Sequence, residues 1–250
     1  MSFVTPGSVA FVTGANRGIG RALVEALLAR GAAKVYAGAR RPETLASLVA
    51  SSGGRVVPVQ LDVTHPDEVR AAAALASDVT LLVNNAGVVE KFGAPFTDDG
   101  WLDAARTEYE VNVIGPFAIT QAFAPILARN DGGTIANVSS VVALVAFDII
   151  PSYSASKAAL HSLTQATRAS LQGQGTYVAG IYPGPIDTDM AKAIDMEKAT
   201  PADAATAILD GLEAGDEEIF PDPMSRQAGA LYLASPKALE RTHLAEPVTQ

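Results

Sequence analysis

The sequence predicts a single α/β domain, spanning residues 1–250, with a doubly wound, mostly parallel sheet covered by helices on both faces. Short β-rich runs alternate with longer segments rich in Ala and Leu, as expected when crossover helices join parallel strands. The strand candidates are too apolar to leave one face in water. With 250 residues, 48% of them hydrophobic, the chain can bury one large core without a second domain.

Each element is predicted from its apolar period and its boundary residues. Strands are expected at 9–13, 34–39, 56–60, 80–84, 133–138 and 177–182, with a last candidate at 215–221. Helices are expected at 18–30, 42–50, 66–77, 99–129 and 154–172, and Gly115-Pro116 should disturb the longest of them. Pro42 occupies a first-turn position, where its missing N–H donor is harmless.

Composition excludes several classes of function. The formal charge is -9 and no run of Lys or Arg forms a basic stripe, so nucleic acid is not an expected partner. Cysteine is absent and the three histidines, His65, His161 and His243, are scattered, so no metal site is expected. Neither a signal peptide nor an uninterrupted apolar stretch of membrane-spanning length is recognised, which predicts a cytoplasmic protein without a membrane partner.

A glycine-rich turn follows the first strand and opens the first helix. Glycine lets the backbone approach a pyrophosphate, whose charge then lies at the positive end of the helix. The spacing G-x-x-x-G-x-G differs from the commonest fingerprint, and a turn without a ligand is the alternative. The residues predicted to hold a dinucleotide here are Gly14, Asn16, Arg17, Gly18, Ile19 and Gly20.

The end of the second strand predicts which nicotinamide cofactor binds. An acidic residue about twenty positions after the glycines would bind a ribose 2′-hydroxyl, but Ala39 stands there, followed by Arg40 and Arg41. Guanidinium groups pair with a 2′-phosphate, and Arg17 can approach the same group. NADP(H) is therefore favoured over NAD(H). The alternative, at least as good for Arg41, is that these arginines are solvated surface charges.

Tyr153 and Lys157 lie four residues apart on a predicted helix, so they project from one face. A free tyrosine has a pKa of about 10 and is a poor base at neutral pH. A neighbouring ammonium is expected to favour the phenolate and to lower that pKa. By itself such a pair is more often a surface contact, but the other motifs favour an acid/base pair.

The order of the motifs resembles that of the short-chain dehydrogenase/reductase family, from about residue 8 to residue 188. The matching segments are 13–20, Asn84-Asn85-Ala86-Gly87, Asn112, Ser139-Ser140, Tyr153 with Lys157, and 183–188. The resemblance implies a Rossmann-type fold. It also implies an oxidoreductase that transfers a hydride between NADPH/NADP and a ketone or aldehyde, or the corresponding secondary alcohol, in the manner of a carbonyl reductase or alcohol dehydrogenase.

The resemblance also implies roles for single residues. Tyr153 would exchange a proton with the substrate oxygen, and Lys157 would tune it and bind the nicotinamide ribose. Ser140, thirteen positions before Tyr153, would stabilise charge on that oxygen, whereas Ser139 would satisfy local backbone groups. Asn112 would support a water beside the lysine. Tyr153 and Lys157 would also contact the cofactor, together with Asp62, Val63, Asn85, Ala86, Gly87, Pro183, Ile186 and Thr188.

Plain structural alternatives remain for several of these positions. Asp62 could simply form a turn before Thr64, and the prolines around Gly184 could form a rigid turn. Asn112 could be a polar residue tolerated in a mostly buried helix. Residues 185–200 are expected to form a mobile lid over an apolar pocket, or else a surface helix.

The C-terminal part departs from the family pattern. Many members end in a glycine-rich tail that builds a tetramer, whereas this chain continues through 217–224 into an amphipathic segment. A homodimer through the long central helices is therefore expected, with a tetramer as the alternative. Mainly apolar side chains flank the motifs and suggest a hydrophobic substrate: Val141, Phe147, Ile149, Ile150, Tyr182 and Met190.

Two rival functions remain for comparison. A non-catalytic NADP-binding sensor or regulatory protein could use the same fold, because a fold does not fix a function. The complete Ser, Tyr, Lys and Asn set argues against it. An epimerase or dehydratase would use the cofactor in an internal redox cycle, but the chain lacks the larger sugar-nucleotide domain expected there.

Overall fold

The structure is a computed structural model that describes residues 2–192 and 194–245. Seven strands form one sheet in the order β3-β2-β1-β4-β5-β6-β7, and all neighbouring strands run parallel. The predicted doubly wound fold is confirmed. The strands are β1 (Val9–Thr13), β2 (Lys34–Ala39), β3 (Val56–Gln60), β4 (Leu81–Asn84), β5 (Thr134–Val138), β6 (Tyr177–Ile181) and β7 (Glu218–Ile219).

Helices cover both faces of the sheet. One apolar cluster joins the sheet to residues such as Leu23 and Leu209, and the other joins it to residues such as Val69 and Phe123. The helices are α1 (Gly18–Ala29), α2 (Ala46–Ser51), α3 (Pro66–Leu75), α4 (Gly100–Tyr109), α5 (Gly115–Arg129), α6 (Pro151–Leu171), α7 (Pro201–Ala214), α8 (Pro223–Ala234) and α9 (Pro236–Ala245).

Most observed boundaries lie within two residues of the predicted ones, and the larger differences are as follows. Helix α6 begins at Pro151 rather than at residue 154, and a 3-10 turn over Pro42–Leu45 precedes α2. Strand β7 has only two residues. Helix α7 is absent from the sequence prediction, although Thr200 caps it by accepting a hydrogen bond from the amide of Asp203. Its apolar face is buried with that of α1 in the same cluster.

A single π turn, Glu110–Ile114, joins α4 to α5. There the amide of Gly115 donates to the carbonyl of Glu110, five residues earlier. The helix is thus disturbed just before the predicted Gly115-Pro116 position. A Cβ at Gly115 would lie 2.7 Å from Cγ2 of Val63, so only glycine lets the start of α5 pack this closely.

The helical run Gly100–Arg129 is long and apolar enough to cross a membrane, with a mean hydropathy of 1.5 in its most apolar window. This finding does not contradict the expectation of no uninterrupted apolar stretch, since polar residues such as Asn112 and Gln121 interrupt this run. It is weak evidence for a membrane span, since a core helix of a soluble protein meets the same criterion, and 44% of that window is buried.

Candidate active site

A cleft of about 1800 Å³ follows the carboxyl edge of the sheet. It opens where the strand order reverses between β1 and β4, which is the usual ligand crevice of doubly wound sheets. Almost all the predicted site residues line it. They are Gly14, Asn16, Arg17, Gly18, Ile19, Arg40, Asp62, Val63, Asn85, Ala86, Gly87, Ser140, Tyr153, Lys157, Pro183, Ile186 and Thr188. Gly20 and Asn112 do not line the cleft; each supports it through packing or hydrogen bonds.

The glycine turn is built to hold an anion. Gly14 and Gly18 have φ values of 64° and 54°, which a side chain would strain. A Cβ at Gly20 would lie 2.4 Å from Nδ2 of Asn85. Helix α1 begins without a side-chain cap, so its first amides are available to a pyrophosphate. The donors and the tight backbone therefore fit a dinucleotide.

Thr13 joins this turn to the neighbouring strand. Its Oγ1 accepts hydrogen bonds from the amides of Asn85 and Ala86, both at 2.9 Å. The side-chain amide of Asn85 donates in return to the carbonyls of Thr13 and Gly14. The ends of β1 and β4 are thereby fixed together at the centre of the cleft.

The end of β2 presents two exposed guanidinium groups to the cleft. Ala39 is buried, while Arg40 and Arg41 are exposed and line the cleft. Arg17 also lines the cleft, and its Nη1 is 3.2 Å from Oδ2 of Asp189. In this structure Arg17 therefore binds the 185–200 segment.

Asp62 forms a local turn and also faces the cleft. Its Oδ1 accepts from the amide and the hydroxyl of Thr64, at 3.0 and 2.7 Å. Burial raises the pKa of Asp62, but the Thr64 bonds and the charges of His65 and Arg40 outweigh burial and bring it below the usual value. The turn role and an adenine contact can coexist, because the turn uses only one carboxylate oxygen.

Tyr153 and Lys157 lie together in the buried part of the cleft. The ammonium of Lys157 is 5.6 Å from the ring centroid of Tyr153 and donates to the carbonyl of Val138 at 2.9 Å. Burial lowers the pKa of Lys157 to about 8. Burial and the charge of Glu108 raise the pKa of Tyr153, against the opposing effect of a hydrogen bond with Ser140.

The expectation that the pKa of Tyr153 is lowered is therefore wrong, because burial raises it. The ammonium of Lys157 points to a backbone carbonyl, and burial disfavours both its charge and a phenolate. Tyr153 is accordingly held as the neutral phenol, the form that can donate a proton.

The two serines have different surroundings. Oγ of Ser140 donates to the carbonyl of Pro183 at 3.2 Å and accepts from the amide of Val142 at 3.4 Å. Both bonds are long, so this hydroxyl can turn towards a ligand at low cost. Oγ of Ser139 donates to the carbonyl of Lys157 at 3.1 Å and so packs the end of β5 against α6.

Asn112 lies in the π turn and clamps the loop after β4. Its Nδ2 donates to the carbonyl of Val88 at 2.9 Å and to Oγ of Ser156 at 3.1 Å, and its Oδ1 accepts from the amide of Val88 at 2.9 Å. A Cβ at Gly87 would lie 3.2 Å from Oδ1 of Asn112 and 3.5 Å from Nζ of Lys157. Asn112 thus supports the cleft from behind Gly87.

The segment 185–200 forms a loop whose ends are joined. Ile186 and Ala199 form a parallel bridge, and the amide of Asp187 donates to the carbonyl of Ala199 at 3.0 Å. Its described residues include a short 3-10 turn, Asp189–Ala191, instead of the alternative long surface helix. Its mobility as a lid stays a prediction.

The apolar wall of the cleft includes five of the six side chains predicted for it, namely Val141, Phe147, Ile149, Ile150 and Met190. The prediction for Tyr182 is wrong. Its side chain is 1% exposed, and its hydroxyl bonds to Nδ1 of His161 at 2.6 Å behind the cleft. Tyr182 follows β6 directly, and the alternation of the strand turns it inwards.

Sequence reasoning missed two parts of the site. Helices α8 and α9 close the apolar end with Met224, Gln227, Ala228, Leu231, Leu239 and Thr242. The sequence indicates an amphipathic segment after residue 224, but it does not show that this segment lies over the cleft. The second part is Glu108, which is completely buried on α4. The sequence offers one hint of its role, which is its position one helical turn before Asn112.

Comparisons with known proteins show the family to which the chain belongs. The sequence model of the short chain dehydrogenase family matches residues 8–199. A crystal structure of a short chain dehydrogenase from Burkholderia cenocepacia J2315, in complex with NADP, is 41% identical, with a TM-score of 0.88 over 99% of this chain and 100% of that one.

Curated relatives show the same similarity. The 3-oxoacyl-[acyl-carrier-protein] reductase FabG of Vibrio cholerae is 32% identical over 93% of this chain and 91% of its own length. The short chain dehydrogenase pigC of Monascus ruber is 33% identical, but the match spans 74% of this chain and only 64% of that protein. The chain therefore belongs to the short-chain dehydrogenase/reductase family and has the oxidoreductase fold of that family.

Proposed function

We propose that the protein is an NADP(H)-preferring carbonyl reductase that interconverts a hydrophobic ketone or aldehyde with its alcohol. One observation carries this proposal: Tyr153, Lys157 and Ser140 line one cleft with the uncapped start of α1. A dinucleotide whose pyrophosphate lies on α1 can extend along the sheet edge towards these three side chains.

The bound NADPH would supply the hydride, and the protein's own residues would handle the proton and the developing charge. The Tyr153 hydroxyl donates its proton to the substrate oxygen, and Ser140 donates a hydrogen bond to the same oxygen. In the alcohol-oxidising direction, Tyr153 accepts the proton. Lys157 would hold the nicotinamide ribose, and its ammonium would stabilise the phenolate of Tyr153 that forms after proton donation.

The preference for NADP(H) is supported by Arg40, which is exposed at the end of β2 where a carboxylate would select NAD(H). The NADP bound to the Burkholderia relative is in line with it. A hydrophobic substrate is supported by the apolar wall and by the cover of α8 and α9. Neither nucleic acid nor a membrane is part of this proposal, which assigns the protein to the cytoplasm.

The test is a panel of carbonyl compounds, assayed by loss of NADPH absorbance. The panel should contain aryl ketones, alicyclic ketones, aliphatic aldehydes and a 3-oxoacyl thioester. Turnover that favours the bulky apolar ketones, and that Tyr153→Phe abolishes, supports the proposal. Binding of NADPH without turnover of any compound would favour the sensor function instead.

A further inference from the structure

Glu108 is a buried carboxylate that the proposed reaction does not use. It lies on α4 with 0% exposure. Burying a carboxylate is costly unless hydrogen bonds or charges compensate it. One oxygen, Oε1, accepts from the amide of Glu90 at 2.9 Å, whereas Oε2 has no hydrogen-bond partner in the described part of the chain.

The carboxylate works together with Asn112 on the loop that follows β4. Residues 108 and 112 are one turn apart and project from the same face. Asn112 holds both backbone groups of Val88, and Glu108 holds the amide of Glu90, two residues further on. The loop that carries Gly87 past Lys157 is therefore attached to α4 at two consecutive points.

Glu108 also lies on the side of α4 that faces α6, the helix of Tyr153 and Lys157. The bond from Asn112 to Ser156 fixes the π turn, which continues α4, against α6. The charge of Glu108 is felt at Tyr153, whose pKa it raises in addition to the larger effect of burial. The carboxylate thus acts on the hydroxyl without a hydrogen bond to it.

We propose that Glu108 is a positioning residue of the active site, which fixes the loop 88–90 against α4 and places a buried carboxylate on the side of α4 that packs against the helix of Tyr153. This inference rests on the proposed function, because the ionisation matters only if Tyr153 exchanges a proton with the substrate. Its consequence is that Tyr153 stays protonated until the substrate oxygen takes the proton, which suits a reductase.

The other charged groups around Tyr153 do not replace the effect of the Glu108 carboxylate on its ionisation. Lys157 lies on the same helix and has the opposite sign. Arg106, Glu110, Asp189 and Asp195 line the cleft from α4, from the π turn and from the segment 185–200, at exposed positions. Solvent and salt screen charges at such positions, whereas a buried charge is screened much less.

The test compares Glu108→Gln with Glu108→Ala. Glutamine keeps an oxygen acceptor for the Glu90 amide but removes the charge; alanine removes both. The first readout is the pH profile of alcohol oxidation with saturating NADP, whose cationic nicotinamide ring favours the phenolate and so brings its ionisation into range. Both variants should move the ionisation of Tyr153 to lower pH by about one unit.

The matched control is Asp103→Asn, which removes the same charge from an exposed position on the same helix. It should leave the profile unchanged. An unchanged profile in a folded, active Glu108→Gln protein overturns the electrostatic part. If the unmodified protein oxidises no alcohol, it is the proposed function that fails.

The second readout needs no cofactor and no activity. Hydrogen exchange of the Glu90 amide in the ligand-free protein should accelerate at least about tenfold in Glu108→Ala, since local opening then has no bond to break. Glu108→Gln should keep most of the protection. Equal protection in both variants would refute the positioning role, whatever the kinetics show.

Discussion

The two adjacent serines offer the sharpest test of the catalytic assignment, because replacing each by alanine should affect a different quantity: kcat for Ser140 and the free energy of unfolding for Ser139. Ser140→Ala removes the hydroxyl beside Tyr153 that can turn towards a substrate oxygen. Loss of one such donor typically lowers kcat by about a hundred- to a thousandfold, or about 2.7–4 kcal/mol. Besides its hydrogen bond with Tyr153, Ser140 makes two bonds that are 3.2 and 3.4 Å long, so the free energy of unfolding should fall only slightly.

Ser139→Ala should have the opposite profile. Its hydroxyl donates to the carbonyl of Lys157, which lies inside α6 and keeps its ordinary helical partner four residues on. We therefore expect a loss of about 1 kcal/mol in the free energy of unfolding and only a small change in kcat. Tyr153→Phe should lower kcat by at least about a hundredfold, since it deletes the transferable proton.

The assay is steady-state reduction of one active ketone by all three variants. NADPH binding, followed by fluorescence, and urea unfolding serve as controls that separate chemistry from damage to the fold. If Ser139→Ala has a strongly reduced kcat while Ser140→Ala stays active, the roles of the two serines are reversed. Full activity in Tyr153→Phe would refute the mechanism.

Three further predictions use different measurements. Arg40→Ala should weaken binding of NADPH by about ten- to a hundredfold more than binding of NADH, with Arg41→Ala as the milder comparison; equal losses for both cofactors would remove the assignment. Lys157 has a pKa of about 8 in the folded chain against 10.5 ordinarily, so the unfolded chain binds more protons between these values. Measured relative to Lys157→Met, which lacks this group, the free energy of unfolding in urea should therefore rise by about 2 kcal/mol from pH 8 to pH 10. We propose a homodimer through the α4–α5 face, where Ile114 and Phe117 are exposed; light scattering should give a dimer that Phe117→Glu dissociates, and a tetramer stable to dilution would contradict this.

The sequence predicts the strands and the cleft well, for a physical reason. Buried parallel strands are short apolar runs, and their carboxyl ends must share one edge. Gly14, Asn85, Ser140 and Pro183 each follow a predicted strand, so their convergence needs no knowledge of side-chain packing. The same argument places Lys157, because its helix follows β5.

Features that depend on distant packing escape such reasoning. Tyr182 lies close to the motifs in the sequence. The direction of its side chain, however, depends on the hydrogen bond with His161 and on the ring of Phe220 stacked against it. The pKa of Tyr153 depends on burial and on Glu108, which is 45 residues away in the chain. Neither quantity is encoded in local spacing.

The π turn has a consequence for the length of the chain. A π turn accommodates one residue more than an α-helical turn, and each residue in a helix rotates the following side chains by about 100°. Deleting one residue within Glu110–Ile114 would restore a regular helix and leave α4 and α5 in their present orientation, but it would turn Asn112 about the helix axis relative to Glu108. The deletion should therefore preserve the fold and break the bonds that Asn112 makes to Val88 and Ser156.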